Sequence, residues 1–339
     1  MKVQFNEDHL IAQENYQEAM DQEILPWLRA REQVTMLPGF EGRPLYCVRY
    51  DAERPQGTVT IVHGFTENAL KYAELIYSLL QEGFSVLAYD QRGHGRSWRA
   101  EGILDGSVTH VNHFSDYVED LKTVCDGLLA RMPKPWLLFA HSMGGAVSTF
   151  YLENHPETFS AAVLCAPMIA PNLSGLPPAA ASLISSAAIS LQKARKHPPF
   201  MKPYAGPEDF ATSCATDPAR FAWYDAIKAS HPEFQNSVPS WQWIREAVRV
   251  TKQLLAEGRP ERIACPVLLS TADEDYSVLP EPQKALIERI PHGERIFVKG
   301  SRHEIFRSTN EVLFPWWHRM LAFLHEAAAS ATKGTGEES

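Results

Sequence analysis

Short apolar runs alternate with amphipathic stretches along the first half of the chain, which predicts alternating strands and helices. The predicted strands are Glu32–Leu37, Leu45–Tyr50, Thr58–His63, Ser85–Tyr89, Trp136–Ala140 and Ala161–Ala166. The predicted helices are Glu14–Arg31 (which we expect to break near Pro26), Tyr72–Glu82, Val118–Arg131 and Ala146–Asn154. Strands separated by single helices predict an α/β fold with a mostly parallel, doubly wound sheet.

This alternation stops at residue 168 and returns at residue 264 with predicted strands at 266–270 and 295–299. No strand is predicted between them, and the alanine-rich stretch Ala179–Ala194 predicts a helix. Its apolar face carries Ala180, Leu183, Ile184, Ala187, Ala188 and Leu191. We therefore predict a core of residues 1–167 and 264–339 and an inserted helical cap, or lid, of residues 168–263. A polar tail, residues 329–339, is expected to be disordered.

Composition narrows the class of protein. Of 339 residues, 45% are hydrophobic and 22% are charged, which is ordinary for a soluble enzyme. A net charge of -9 without a basic run disfavours nucleic-acid binding. Five scattered cysteines indicate buried free thiols in a reducing compartment. Residues 1–13 lack the apolar run of a signal peptide, and no stretch of about 18 apolar residues predicts a membrane span, so we expect a cytoplasmic protein.

The sequence following the strand at Trp136 is typical of a nucleophile elbow. Ala140-His141-Ser142-Met143-Gly144-Gly145 places a serine on a sharp turn between a strand and a helix. Strand and helix nearly touch at such a turn, so the residues two before and two after the serine must be small. Ala140 and Gly144 meet this requirement, although glycine is more common at the first position. We predict that Ser142 is a catalytic nucleophile.

An orienting acid and a base are predicted further along the chain, in the order serine, acid, histidine. The acid follows the strand after the cap, where three acids compete: Asp273, Glu274 and Asp275. We favour Asp275, because it lies three residues after Ala272 and three before an apolar residue. His303 follows the final strand and is the predicted base, which accepts the Ser142 proton and returns it to the leaving alcohol.

Two backbone N–H groups are predicted to bind the oxyanion of the reaction. One belongs to Met143, directly after the nucleophile, and the other to Phe65, in the loop that follows the strand ending at His63. We assign His63 and His141 structural roles. The glycine spacing of Asp90–Ser97 fits neither nucleotide-binding motif, so we interpret this segment as a turn braced by its own side chains. No cofactor and no metal are expected.

These motifs together resemble α/β-hydrolases of the monoacylglycerol lipase and lysophospholipase group. The resemblance rests on His63–Glu67, Lys71–Leu75, Asp90–Ser97, His141–Gly145 and the loops of Asp275 and His303. Within the group, the segments His110–Val118, Phe221–Tyr224 and Trp243–Ala247 are most similar to bacterial lysophospholipases associated with the inner membrane. The resemblance implies the α/β-hydrolase fold and hydrolysis of a lipid ester through an acyl-serine intermediate.

The predicted substrate is a lysophospholipid, with a monoacylglycerol or a general carboxylic ester as the alternative. An aromatic-rich cap over a serine can form a dry channel for an acyl chain. Lys193, Arg195, Lys196 and Lys202 follow the alanine-rich helix, so the cap is also a candidate for peripheral membrane contact. Peptidases, acyltransferases and C–C hydrolases share this constellation, and a lipid-binding scaffold without activity is the non-enzyme alternative.

Overall fold

A mostly parallel eight-stranded sheet forms the centre of the computed structural model, which describes residues 11–334. Its strands are β1 (Gln33–Pro38), β2 (Pro44–Tyr50), β3 (Gly57–Val62), β4 (Phe84–Tyr89), β6 (Trp136–His141), β7 (Ala161–Cys165), β9 (Val267–Glu274) and β10 (Gly293–Arg302), and a separate parallel pair joins β5 (Val108–Thr109) to β8 (Val238–Pro239). The order across the sheet is β1-β2-β4-β3-β6-β7-β9-β10. β2 is antiparallel to both neighbours, and the remaining pairs are parallel.

Helices cover both faces of this sheet. They are α1 (Tyr16–Glu18), α2 (Leu25–Arg29), α3 (Ala73–Gln81), α4 (Ser115–Gly127), α5 (Met143–Asn154), α6 (Pro178–Ser190), α7 (Pro218–Ser230), α8 (Trp241–Leu254), α9 (Pro280–Ile287) and α10 (Asn310–Gly334). Side chains of α3 and α10 pack on one face, and those of α4, α5 and α9 pack on the other. Burial on both faces explains why β3, β4 and β7 are buried along their whole length and carry few polar side chains.

The parallel strands place the predicted chemistry at one edge of the sheet. The predicted site residues lie just after four strands: Phe65 after β3, Ser142 and Met143 after β6, Asp275 after β9 and His303 after β10. Because the carboxyl ends of parallel strands lie at the same edge, four segments far apart in the sequence meet there. The fold itself therefore brings the predicted site residues into one region.

The segment between β7 and β9 lies across this edge. It contains α6, α7, α8 and the two-residue strand β8, whereas the sequence predicted no strand here. Val238 and Pro239 of β8 pair with Val108 and Thr109, so the missed strand ties the segment to the core. A two-residue strand has too few positions to give a periodic pattern, which explains why it was missed.

The larger apolar residues of helix α6 face outward. The sequence predicted an amphipathic helix with its apolar face buried, so this part of the prediction is wrong. Leu183 and Leu191 are 72% and 68% exposed, whereas Ala181, Ser185 and Ala188 are buried. The buried residues are small, and their face of α6 packs against α8. Small side chains let the two helices approach closely, so the face of α6 that packs on α8 carries alanine and serine, and the leucines lie on the other face.

The two ends of the described chain also differ from expectation. The predicted break near Pro26 is absent, because helical structure is continuous from Gln13 to Arg29. The helix is instead irregular before Pro26, where Ala19–Ile24 is π-helical. Leu25 N–H donates to the carbonyl of Met20, five residues back.

At the other end α10 continues to Gly334, past the start of the predicted disordered tail. Residues 1–10 and 335–339, where the remainder of the terminal predictions fall, lie outside the described residues. Within residues 11–334, no helix is long and apolar enough to cross a membrane.

Candidate active site

Ser142 lies on a strained turn between β6 and α5. Its backbone has φ 50° and ψ −119°, a conformation that residues other than glycine rarely adopt. The turn brings α5 so close to β3 that a Cβ on Gly144 would lie 2.1 Å from the carbonyl oxygen of Val62. Glycine is therefore required at position 144, and fully buried Ala140 supplies the small residue before the serine.

Ser142, His303 and Asp275 form a continuous chain of hydrogen bonds. Ser142 Oγ lies 2.8 Å from His303 Nε2, and His303 Nδ1 lies 2.7 Å from Asp275 Oδ2. Since the carboxylate can only accept, His303 donates from Nδ1 and presents an unprotonated Nε2 to the serine hydroxyl. Ser142 and His303 are buried, and the arrangement can remove a proton from the serine.

Asp275 is held in its charged form. Burial alone would raise the pKa of its carboxyl, but the hydrogen bond and charge of His303 and two backbone N–H donors outweigh this, and the pKa is lowered. Those donors are the amides of Ser277 and Val278, 2.8 and 3.0 Å from Asp275 Oδ1. One carboxylate oxygen is thus fixed by the backbone, which leaves the other for His303.

Asp273, the competing acid, has a different partner. Its Oδ2 accepts a hydrogen bond from the backbone N–H of Gly300 at 3.0 Å, and the residue is exposed. The two acids are neighbours in the sequence, yet His303 is bonded to Asp275. The geometry therefore favours Asp275 as the orienting acid.

The two predicted oxyanion donors belong to segments that lie next to Ser142. Met143 is the first residue of α5, and the first N–H groups of a helix have no acceptor within the helix. On the other side, Gly64 approaches Ser142 so closely that a Cβ on it would lie 3.0 Å from Ser142 Cβ. Phe65 follows this glycine and lines the pocket above the serine. The arrangement suits stabilisation of a negative oxygen between the two amides.

His63 and the Asp90–Ser97 segment have local structural contacts. His63 Nδ1 donates to the carbonyl of Gly64 at 2.7 Å, and its Nε2 accepts from the N–H of Gln91 at 2.8 Å. Asp90 accepts from the N–H groups of Ala69 and Arg96 at 2.7 and 2.8 Å. These contacts shape two loops beside Ser142, in keeping with the interpretation of Asp90–Ser97 as a braced turn.

A buried ionic network beside the proposed triad was missed by the sequence analysis. Glu67 bonds Lys71 and His141, and Lys71 also contacts Glu304, the residue after His303. The sequence offered two signals for it. Glu67 and Lys71 are four residues apart, and Glu304 and Arg307 are three residues apart. Such pairs are common on exposed helices, so nothing in the sequence indicated that these are buried.

An apolar pocket of about 760 Å³ opens onto the Ser142 hydroxyl. Core and cap both contribute to its walls, with Phe65 and Val278 from the core and Val238, Trp243 and Ile244 from the cap. The Trp243 ring packs 4.2 Å from that of Phe65. Other cap aromatics fill the space between cap and core, as Trp223 does against Tyr16. The volume is in the range of ordinary ligand sites.

Comparisons with known proteins agree with this geometry. The family model Hydrolase_4, described as serine aminopeptidase, S33, matches residues 53–310. The chain is 34% identical over 284 residues to lysophospholipase L2 of Escherichia coli, a match that covers 79% of this chain and 80% of that protein. It is 27% identical over 269 residues to a monoacylglycerol lipase of Mycolicibacterium smegmatis, covering 76% and 85%.

Solved structures share the fold at lower identity. A monoglyceride lipase of Saccharomyces cerevisiae superposes with a TM-score of 0.67 and 19% identity, over 88% of this chain and 96% of that one. A carboxyl esterase of Bacillus coagulans superposes with a TM-score of 0.70 and 18% identity, over 88% and 99%. The α/β-hydrolase fold predicted from the sequence is confirmed by these neighbours and by the family match.

The two competing acids provide a direct test of the site. Asp275→Asn should lower kcat on a short nitrophenyl ester by about 10³–10⁴-fold, because a neutral amide no longer selects the correct His303 tautomer. Asp273→Asn, the matched control, should stay within about threefold of the parent, as expected for an exposed substitution. Steady-state kinetics of the two purified variants measure this difference. Equal losses in both variants would contradict the assignment of Asp275.

Proposed function

The chain belongs to the Hydrolase_4 family of serine hydrolases, and within this family we propose that it removes the acyl chain from lysophospholipids. The observation that carries the proposal is the apolar pocket of about 760 Å³ that opens directly onto Ser142. An esterase for small acids has no need of so large an apolar volume beside its nucleophile. The similarity to lysophospholipase L2 of Escherichia coli supports the same substrate class.

In the proposed reaction Ser142 Oγ attacks the ester carbonyl while His303 Nε2 takes its proton. The carbonyl oxygen becomes an oxyanion, which the N–H groups of Phe65 and Met143 bind, and each such donor typically contributes about 10²–10³-fold in rate. His303 then protonates the departing glycerophosphate alcohol, leaving the acyl group on Ser142. Asp275 stabilises the imidazolium that exists between these two steps.

Deacylation repeats the same steps with water as the nucleophile. His303 removes a proton from water, the hydroxyl attacks the acyl-serine, and a second oxyanion forms between Phe65 and Met143. Collapse of this intermediate breaks the bond to Ser142 Oγ, which recovers its proton from His303. The products are a fatty acid and a glycerophosphodiester.

The pocket explains how the enzyme would select a lipid. Transfer of an acyl chain from water into an apolar site is worth about 0.8 kcal/mol per methylene. Trp243 and Ile244 of α8 and Val238 of β8 line this space on the cap side, so the cap would determine the preferred chain length. Longer acyl chains would be favoured until they reach the end of the pocket.

Monoacylglycerol hydrolysis is the alternative, because it needs the same triad and the same acyl pocket. The similarity to the Mycolicibacterium smegmatis monoacylglycerol lipase supports it. The basic residues that follow α6, of which Lys202 lines the pocket, favour a phospholipid surface as the source of substrate. A lipid-binding scaffold without activity would have no use for the strained Ser142 turn or for the hydrogen bond from Ser142 to His303.

We propose that the cap contacts anionic lipid at the mouth of this pocket. Ile184 and Phe200 line the pocket and are also 45% and 73% exposed, which makes the outer face of the cap continuous with the acyl site. Leu183 and Leu191 extend the apolar surface along α6. Four cationic residues follow α6 in an acidic protein: Lys193, Arg195, Lys196 and Lys202. Peripheral association with the inner membrane would present substrate directly to the pocket.

Ser142 labelling and a substrate panel test the proposed activity. A fluorophosphonate should form one adduct, on Ser142, and Ser142→Ala should abolish it. Lysophosphatidylcholine, lysophosphatidylethanolamine, monoacylglycerol and a short nitrophenyl ester are then compared side by side by fatty acid or alcohol release. The expected order of kcat/KM places the lysophospholipids first. No Ser142 adduct on the folded protein would exclude the enzyme, and turnover of the short ester alone would exclude the lipid substrate.

Vesicle binding tests the cap surface. Co-sedimentation should be stronger with vesicles that contain phosphatidylglycerol than with phosphatidylcholine alone. The double variant Leu183→Ser/Leu191→Ser should bind at least about tenfold more weakly, because two leucines buried in lipid contribute more than about 1.4 kcal/mol together. Val34→Ser is the matched control, since Val34 is 48% exposed on the edge strand β1. Equal binding of all three proteins would contradict the proposed surface.

A further inference from the structure

One buried carboxylate, that of Glu67, accepts hydrogen bonds from several segments around the site. Glu67 Oε2 lies 2.6 Å from the Gly64 amide nitrogen, 2.5 Å from Tyr72 Oη and 3.1 Å from His141 Nδ1. Its Oε1 lies 3.1 Å from Lys71 Nζ. Three of these donors share Oε2 and the fourth binds Oε1, so this one side chain holds groups from four residues in place.

His141 has acceptors at both ring nitrogens. Nδ1 faces Glu67 Oε2, and Nε2 lies 3.1 Å from the backbone carbonyl oxygen of His303. Neither acceptor can donate, so a neutral imidazole could satisfy only one of them and would leave a lone pair facing an oxygen. Both bonds exist together only when the ring is the doubly protonated imidazolium. The positively charged form therefore joins the nucleophile turn to the loop of the catalytic base.

The electrostatic environment agrees with this protonation state. Burial alone would lower the pKa of His141, but the charge and hydrogen bond of Glu67, with a smaller contribution from Glu304, raise it. Burial alone would likewise raise the pKa of Glu67, yet Lys71 and His141 hold it well below the usual range. Both shifts favour the charged forms of the two partners, as the geometry does.

Two aromatic side chains complete the surroundings of the His141 ring. The His303 ring lies with its centroid 4.8 Å away, and the Phe306 ring lies edge-on at 5.1 Å. Neither ring supplies a full negative charge, so the carboxylates of Glu67 and Glu304 are the groups that stabilise the imidazolium.

The network continues from Glu67 to the cap. Lys71 Nζ lies 2.5 Å from Glu304 Oε1, and Arg307 Nη1 lies 2.5 Å from Glu304 Oε2. Arg307 Nη2 donates to the carbonyl oxygens of Arg220 and Phe221 in the first turn of α7.

The charges of this network balance when His141 is protonated. There are then four cations and four carboxylates: Lys71, His141, Arg220 and Arg307 against Glu67, Glu74, Asp217 and Glu304.

We propose that the Glu67–His141 ion pair is a positioning device for the proposed esterase. Through the charged ring of His141 it holds the backbone of His303, and through Gly64 it holds the loop that carries the Phe65 oxyanion donor. Ser142, the base and the oxyanion loop are then fixed to a single carboxylate. The inference rests on the proposed function, but the protonation state of His141 can be measured without any substrate.

Nitrogen-15 NMR of the histidine-labelled full chain tests the charge of His141. At pH 8, where an ordinary histidine is neutral, both ring nitrogens of His141 should remain protonated. His63 is an internal control, because it is equally buried and its Nε2 accepts from Gln91, so it should show one protonated nitrogen. The signals are assigned by their loss in His141→Gln or, should that variant not fold, by proximity to the Phe306 ring at 5.1 Å. A single protonated nitrogen on His141 at pH 8 would overturn the proposal.

Kinetics on a short nitrophenyl ester test the positioning role. His141→Gln should lower kcat by about 10²-fold with KM within about twofold, because the groups that react are displaced while the apolar walls contributed by the cap are unchanged. Glu67→Gln should give a similar loss, and the double variant should be no worse than either single one, since both remove the same pair. Tyr72→Phe is the matched control: it removes one neutral donor to Glu67, and kcat should stay within about fivefold of the parent.

The outcomes separate this inference from the proposed function. Additive losses in the double variant, or a change in KM equal to the change in kcat, would overturn the positioning role even if Ser142 forms its fluorophosphonate adduct. Absence of that adduct in the parent protein would instead refute the esterase. In that case the NMR result would still decide whether His141 is charged.

Discussion

The close contact between the Ser142 turn and strand β3 is the constraint on which the site depends. Gly144 lies so near the Val62 carbonyl that no side chain fits between them, and this contact holds the Ser142 backbone in its strained conformation. The turn directs the hydroxyl toward His303 and makes Met143 the first residue of α5, with its N–H near the serine. The geometry needed for hydrolysis therefore depends on the packing of the α5 backbone against the β3 backbone. The ionic network around Glu67 would hold the neighbouring loops in place.

The segment proposed as the cap has two parts with different contacts. Helix α7 is tied to the core, because Arg220 bonds Glu74 at 2.7 and 2.9 Å and Arg307 donates to the first turn of the helix. Helix α6 packs on α8 through small residues and exposes leucines instead. The firmly held part lies against the loop of His303, and the outward part borders the mouth of the acyl pocket. This division would suit the proposed enzyme, whose chemistry needs rigid geometry and whose substrate would come from a lipid surface.

The fold could be predicted, and the three residues of the proposed triad could be selected, because each leaves a local or ordered signal. Apolar runs marked the strands, and the order serine, acid, histidine pointed to Ser142, Asp275 and His303. The Glu67–His141 pair could not be found in this way, since its partners come from separate loops and burial of a charge is a tertiary property. The outward face of α6 was also beyond prediction, because an apolar helical face indicates a buried surface without saying whether protein or lipid covers it.

The acyl-serine intermediate is the most direct test of the account. The protein is mixed with a lysophospholipid that carries a labelled acyl chain, quenched in acid within milliseconds and digested for mass spectrometry. The account predicts the acyl mass on the peptide that contains Ser142, formed before steady state and lost as labelled fatty acid appears. Release of fatty acid with the label on another residue, or with no covalent label at any time, would contradict it.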